Sequence, residues 1–192
     1  GTLSAKRRAA VRPLERQVTE AIREFGMAGG RLRIVIEASE PGPGGIDRVE
    51  FLVAGHAGVE PRPIGRVASG GELSRVALGI AVSAAEANPV PTLIFDEADA
   101  GVGGAVADAI GARMRALGES RQVLCVTHLP QVAARAHHQY RVSKSTRAAT
   151  TTSRIGKVEG DERVDEIARM LGGAKLTGAG REHARELLAG RA

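Results

Sequence analysis

The chain has 192 residues, 43% apolar and 26% charged, enough for one globular core and too apolar for wholesale disorder. Aromatic residues make up only 2%, with no Trp, which argues against a base-stacking platform for single-stranded nucleic acid. The lone cysteine, Cys125, excludes a disulfide framework and a multi-thiolate zinc site, and a formal charge of +5 fits either an anionic partner or a solvated basic surface.

Residues 4 to 25 read as a helix. Val11, Leu14, Val18, Ala21 and Phe25 recur at alternating three and four spacing, which suits a coiled-coil seam or an amphipathic face on the domain's own core. Gly26, Gly29 and Gly30 end it. Arg31 to Glu37 alternates, as do Val49, Phe51 and Val53, and the cluster Pro41 to Gly45 between them predicts a β-hairpin. A Gly/Pro loop through Pro63 then leads to Ser69-Gly70-Gly71-Glu72. From Glu72 the apolar spacing is helical up to Asn88-Pro89. Leu93 to Phe95 is a short apolar run, as expected of a central parallel strand covered on both faces. Val106, Ile110, Met114 and Leu117 mark a helix, and Gln122 to Val126 a second buried strand with Cys125 inside it. Strand, helix, strand with short links is a βαβ unit, so the fold class is α/β. Tyr140 to Val158 is expected to form an edge hairpin, Asp161 to Leu171 a helix, and Thr177 to Leu188 a last helix closed by Gly190. His137 and His138 are expected on a strand, facing opposite ways at the surface. No run approaches the ~18 apolar residues of a membrane span and no secretory signal is present, so a cytoplasmic chain is expected. Beginning Gly1-Thr2 without Met, it is expected to be a piece of something longer.

Three segments carry chemistry. Ser69-Gly70-Gly71 precedes a helix whose N-terminus presents unpaired N–H groups and partial positive charge. The glycines let a phosphate approach the backbone, and Ser69 adds a hydroxyl donor. An ordinary N-cap followed by a glycine turn explains the same residues without a ligand. Asp96 and Glu97 end an apolar strand, the place where open α/β sheets bind ligands. Asp96 is placed to hold Mg²⁺, directly or through water, and Glu97 to activate a water as general base. Capping of the following helix is the competing reading. His128 ends the next strand and is a candidate donor to a γ-phosphate. Asp99 opens the acidic, glycine-rich loop that runs to Gly104. Signature turn, Asp-Glu, loop Asp and His follow one another in the order of the second half of an ATP-binding-cassette site. The phosphate-cradling loop ending in Gly-Lys-Ser/Thr, which forms the first half, is not in these residues.

Val67 to Arg75, Pro91 to Glu97, Asp99 to Gly104 and Arg121 to Val132 resemble the RecN family, bacterial SMC-like ATPases of DNA double-strand-break repair. Glu166 to Gly173 and His183 to Leu188 are similar to that family's closing segments, which ABC transporters do not share. The resemblance implies a C-terminal lobe of an ABC/SMC-type ATPase head, with parallel strands covered by helices. Residues 1–25 would be the end of a coiled-coil helix and 26–192 the lobe. An N-terminal lobe of the same protein would carry the phosphate loop, and without it no turnover is expected. Two heads would sandwich ATP and Mg²⁺, with DNA as a further partner and a nucleoid-associated location. Ser69, Gly70, Gly71 and Glu72 would act in trans on ATP held by the second head of a homodimer. Asp96, Glu97 and His128 would act on their own head's nucleotide, and Asp99 would lie at the dimer interface. Ala98, Ala100 and Val102 depart from the family's usual loop. A non-catalytic lobe that only closes a dimer or docks DNA remains the alternative.

Overall fold

The computed structural model describes residues 1–66, 69–84, 90–147, 150–172 and 176–190. A long helix α1 (Thr2–Glu24) leads into the hairpin β1 (Arg31–Gly42) and β2 (Gly45–Ala54), whose inner edge carries the two-residue strand β3 (Arg62–Pro63). Helix α2 (Gly70–Ser83) precedes β4 (Thr92–Phe95), and α3 (Gly104–Gly118) connects it to β5 (Gln122–Cys125). The short α4 (Pro130–Arg135), the hairpin β6 (Gln139–Arg147) and β7 (Thr150–Val158), and helices α5 (Gly160–Gly172) and α6 (Gly178–Ala189) complete the chain. The predicted helix stop at Asn88-Pro89 lies outside the described residues, as do Val67 and Ala68 of the signature segment.

The α1 seam is used on the domain itself. Val18 and Ile22, both fully buried, pack with Leu32, Ile34 and Val53 of the hairpin and Val76 of α2. Ala21 and Phe25 reach the neighbouring core made by Leu78, Phe95, Ile110, Met114 and Leu117. Leu3, near the start of α1, is half exposed. The helix also satisfies an edge. Glu15 accepts a hydrogen bond from the Ile34 N–H at 2.7 Å and Thr19 one from the Leu32 N–H at 3.1 Å. Alternate N–H groups of β1 that would otherwise face outward are thereby paired, which blunts the edge of the hairpin.

Strands β4 and β5 pair in parallel, Leu93 with Val123 and Phe95 with Cys125, as the βαβ reading requires. Among the described residues the expected cover is present on one face of the pair only. Leu93, Phe95, Val123 and Cys125 turn toward the core under α2 and α3. Ile94, Leu124 and Val126 turn outward, 70%, 46% and 64% exposed. Residues alternate across a strand, so an all-apolar run necessarily presents apolar side chains on the second face too, and no described element covers it.

A third cluster joins α4, α5 and α6 through Ala134, Ile167, Ala184 and Leu188. Arg163 of α5 fixes it by donating to the carbonyls of Ala133, Ala136 and His137, at and just beyond the C-terminal end of α4. His137 and His138 sit in the bend before β6 rather than on a strand, and both are exposed. His137 instead pairs with Glu119, 3.0 Å away.

Candidate functional site

The C-terminal ends of the parallel strands and the N-terminus of α2 meet at a depression of about 480 Å³. Ser69, Gly70, Gly71, Asp96, Glu97, Asp99, Ala100, Val126, Thr127 and His128 line it. Residues from three separate stretches of sequence thus share one surface. A larger depression, near 580 Å³, lies between the β6–β7 root and α5–α6, away from these motifs.

Ser69 is the N-cap of α2: its hydroxyl oxygen accepts the Glu72 N–H at 3.2 Å. A hydroxyl can accept and donate at once, so the Ser69 proton stays available to a ligand. Glu72 itself is not part of the depression. Its carboxylate turns the other way, against Gly55 and 3.7 Å from His56 Nε2. Two polar contacts join α2 to the strand-end loop. Ser74 Oγ donates to the Asp96 carbonyl at 2.6 Å, and Arg75 Nη1 to the Ala100 carbonyl at 2.7 Å. Neither residue was assigned a role from sequence, because a Ser and an Arg in a helix give no sign of their long-range partners.

The two glycines have different neighbours. A Cβ on Gly70 would lie 2.6 Å from Glu97 Oε2. A Cβ on Gly71 would lie 3.0 Å from the Ala100 methyl and 3.3 Å from its carbonyl oxygen. Gly71 therefore permits close packing of α2 on the loop, while Gly70 leaves room for a carboxylate. Glu97 takes a left-handed backbone, φ 58°, which costs a non-glycine residue about 1–2 kcal/mol. In this conformation its carboxylate sits at the α2 N-terminus, where a partial positive charge favours it. An anion binding at the same turn would have to meet that carboxylate or displace it.

Asp96 and Glu97 are exposed, and among the described residues neither carboxylate has a side-chain hydrogen bond or ion pair. The negative field of Asp96 and of the neighbouring Asp99 is felt nearby. Burial first, and then the charges of Asp99 and Asp96, push the Cys125 thiol up to about 12. Such a pair fits a cation that keeps most of its ligands as water, as Mg²⁺ does. Among the described residues no group of three His, Cys, Asp or Glu side chains converges to hold a metal by itself.

Asp99 does not project outward. Its side chain is 3% exposed and lies beneath His128. Its Oδ2 accepts from the Thr127 hydroxyl and, at 3.3 Å, from the His128 N–H. His128 Nδ1 stands 3.5 Å from the same oxygen, while the ring is 71% exposed to the depression. Thr127 escaped the sequence reading because a β-branched residue after a strand reads as strand continuation.

No family model matches the chain. Among curated relatives it is 51% identical over 178 residues to the DNA repair protein RecN of Xylella fastidiosa strain 9a5c, covering 91% of this chain. It is 46% identical over 189 residues to RecN of Deinococcus radiodurans and 43% identical over 177 to RecN of Vibrio cholerae, with 98% and 91% of this chain covered. The chain spans about a third of the length of these relatives, 32% to 33%. Among solved structures it is similar to the Smc head domain with a coiled coil and joint from Pyrococcus yayanosii, at TM-score 0.57 and 21% identity over 80% of this chain and 28% of that one. The Smc head domain with an extended coiled coil from Pyrococcus furiosus matches at TM-score 0.52 and 22% identity, over 75% of this chain and 34% of that one. At that identity the structural likeness is one of fold. The chain is thus a RecN-like segment with the fold of part of an SMC ATPase head.

Proposed function

We propose that this chain is the C-terminal half of an ATP-hydrolysing head in a DNA-repair ATPase of RecN type. The observation that carries the reading is the convergence of Ser69–Gly71, Asp96–Glu97 and His128 on one depression at the C-terminal end of a parallel sheet. ATP and Mg²⁺, when bound, supply the electrophilic phosphorus and neutralise charge at the γ-phosphate. Asp96 is the residue that would hold the cation, through water or directly. Glu97 orients and deprotonates the attacking water, and His128 presents a ring nitrogen to the phosphate.

Ser69, Gly70 and Gly71 would serve a nucleotide held by a second head of the same kind, with Glu72 bracing the turn from behind. The Glu97 carboxylate faces the Ser69–Gly71 turn of its own chain, so a phosphate from either head reaches that turn only once Glu97 swings aside. Asp99 was assigned to the dimer interface; its buried side chain leaves that role to the backbone of its loop. The phosphate loop would come from an N-terminal lobe of the same protein. The outward face made by Ile94, Leu124 and Val126 is the surface proposed to receive it, because parallel strands are normally covered on both sides. Residues 1–25 would continue into a coiled coil. DNA is the proposed substrate of the whole assembly and the cytoplasm, at the nucleoid, its proposed place. No described helix is long and apolar enough to cross a membrane.

The test uses this chain together with the remaining part of a RecN-like protein. The pair hydrolyses ATP, and this chain alone gives no turnover above background. Glu97→Gln in the pair abolishes turnover but leaves ATP-dependent head association intact. Robust hydrolysis by the isolated chain, or normal turnover by the Glu97→Gln pair, would overturn the assignment.

A further inference from the structure

We propose that Asp99 is a positioning residue for His128, tying down the backbone around it with Thr127 and fixing, from beside Nδ1, which ring nitrogen faces the depression. The proposal rests on the reading of His128 as a phosphate-facing group and adds the part that holds it. Four observations carry it. Asp99 is nearly buried, at 2% exposure, one of the few charged residues so enclosed. Burying an ionised carboxylate is costly unless it is satisfied by hydrogen bonds. Its Oδ2 is satisfied entirely by the segment after β5, taking the Thr127 hydroxyl and the His128 N–H. Thr127 in turn accepts the Leu129 N–H at 3.0 Å, so the backbone on both sides of His128 is tied to one carboxylate. Lastly, His128 Nδ1 lies 3.5 Å from that oxygen, longer than a formed hydrogen bond but with no other carboxylate paired to the ring among the described residues.

A carboxylate beside Nδ1 favours the tautomer protonated at Nδ1 and orients the ring. Nε2 is then the nitrogen offered to whatever fills the depression, and it carries a lone pair in the neutral ring. It donates to a phosphate only after taking a proton from solvent, giving an imidazolium whose Nδ1–H lies beside the Asp99 carboxylate. Free imidazole side chains prefer the opposite tautomer, so the arrangement makes a prediction that burial alone does not. A carboxylate serving only to stabilise the loop would leave the exposed ring in its ordinary preference.

The experiment is a ring ¹⁵N–¹H correlation spectrum of this chain, taken at a pH where His128 is neutral, with His128→Gln to assign its signals. The wild-type ring is expected to be mainly Nδ1–H, and Asp99→Asn to move it toward Nε2–H with the backbone amide spectrum otherwise preserved. Thr127→Ser, which keeps the hydroxyl, should retain the wild-type tautomer. A wild-type ring found mainly as Nε2–H overturns the proposal even if Asp99→Asn does not fold, and so does an unchanged tautomer in a folded Asp99→Asn protein. In the pair with the remaining part of a RecN-like protein, Asp99→Asn should lower kcat at least tenfold with KM for ATP within twofold. A tautomer shift with no effect of His128→Gln on kcat would leave Asp99's positioning role standing and remove His128 from the proposed ATPase mechanism.

Discussion

Replacing Gly71 by Ala tests the packing that holds the Ser69–Gly71 turn against the strand-end loop, and Gly70→Ala is its control. Both residues open α2, so each substitution gains helix propensity, at most about 1 kcal/mol. At Gly70 the sole obstruction is the free end of Glu97, which can rotate away. The control should therefore change stability by between about 0 and +1 kcal/mol. At Gly71 the new methyl meets the Ala100 methyl at 3.0 Å and its carbonyl at 3.3 Å, and that carbonyl is held by Arg75 at 2.7 Å. Nothing there swings aside cheaply, since Gly71, Arg75 and Asp99 are all buried. Overpacking costs about 1–3 kcal/mol, and disturbing the hydrogen bond from a charged donor adds up to a similar amount. Gly71→Ala should thus destabilise the chain by about 1–3 kcal/mol, with urea unfolding as the assay. The two variants should separate by several degrees in Tm, at about 2–4 °C per kcal/mol for a chain of this size. If Gly71→Ala proved as stable as Gly70→Ala, the contact between α2 and the 96–101 loop would not exist as described.

Two further outcomes follow from the same geometry. Burial and the neighbouring acids raise the Cys125 thiol from 9.0 to about 12, so the folded chain holds its proton through a range where the unfolded chain has lost it. Stability from this group is therefore complete below pH 9 and falls as pH rises from 9 toward 12, by at most about 1.4 kcal/mol per unit. Cys125→Ala should flatten the alkaline limb of a stability profile followed by urea unfolding, and alkylation of the native thiol at pH 8 should be far slower than in the unfolded chain. Ile94→Ser and Val126→Ser, at positions 70% and 64% exposed, should each change the stability of this chain by less than about 0.5 kcal/mol. Together they should prevent co-purification with the remaining part of a RecN-like protein; unimpaired recovery would show that this face is not the docking surface.

The sequence by itself determined the elements and the chemical inventory. Helical spacing through Ile110, Met114 and Leu117, and short apolar runs at β4 and β5, fix a βαβ unit, because period and length follow from backbone geometry alone. Ser69–Gly71, Asp96-Glu97 and His128 stood out as candidates because their order along the chain is itself informative, and the structure brings them to one depression. α4, whose six residues are too few to show a period, was not legible. Nor were the contacts that cross the chain: Ser74 to Asp96, Arg75 to Ala100, and Asp99 to Thr127 and His128. The tertiary structure alone decided that Asp99 lies inward, that Glu72 faces Gly55 rather than the depression, and that one face of the parallel pair is uncovered among the described residues. Side-chain direction depends on which surface each element packs against, and that is set by partners 20 to 30 residues away, a scale at which local periodicity carries no information.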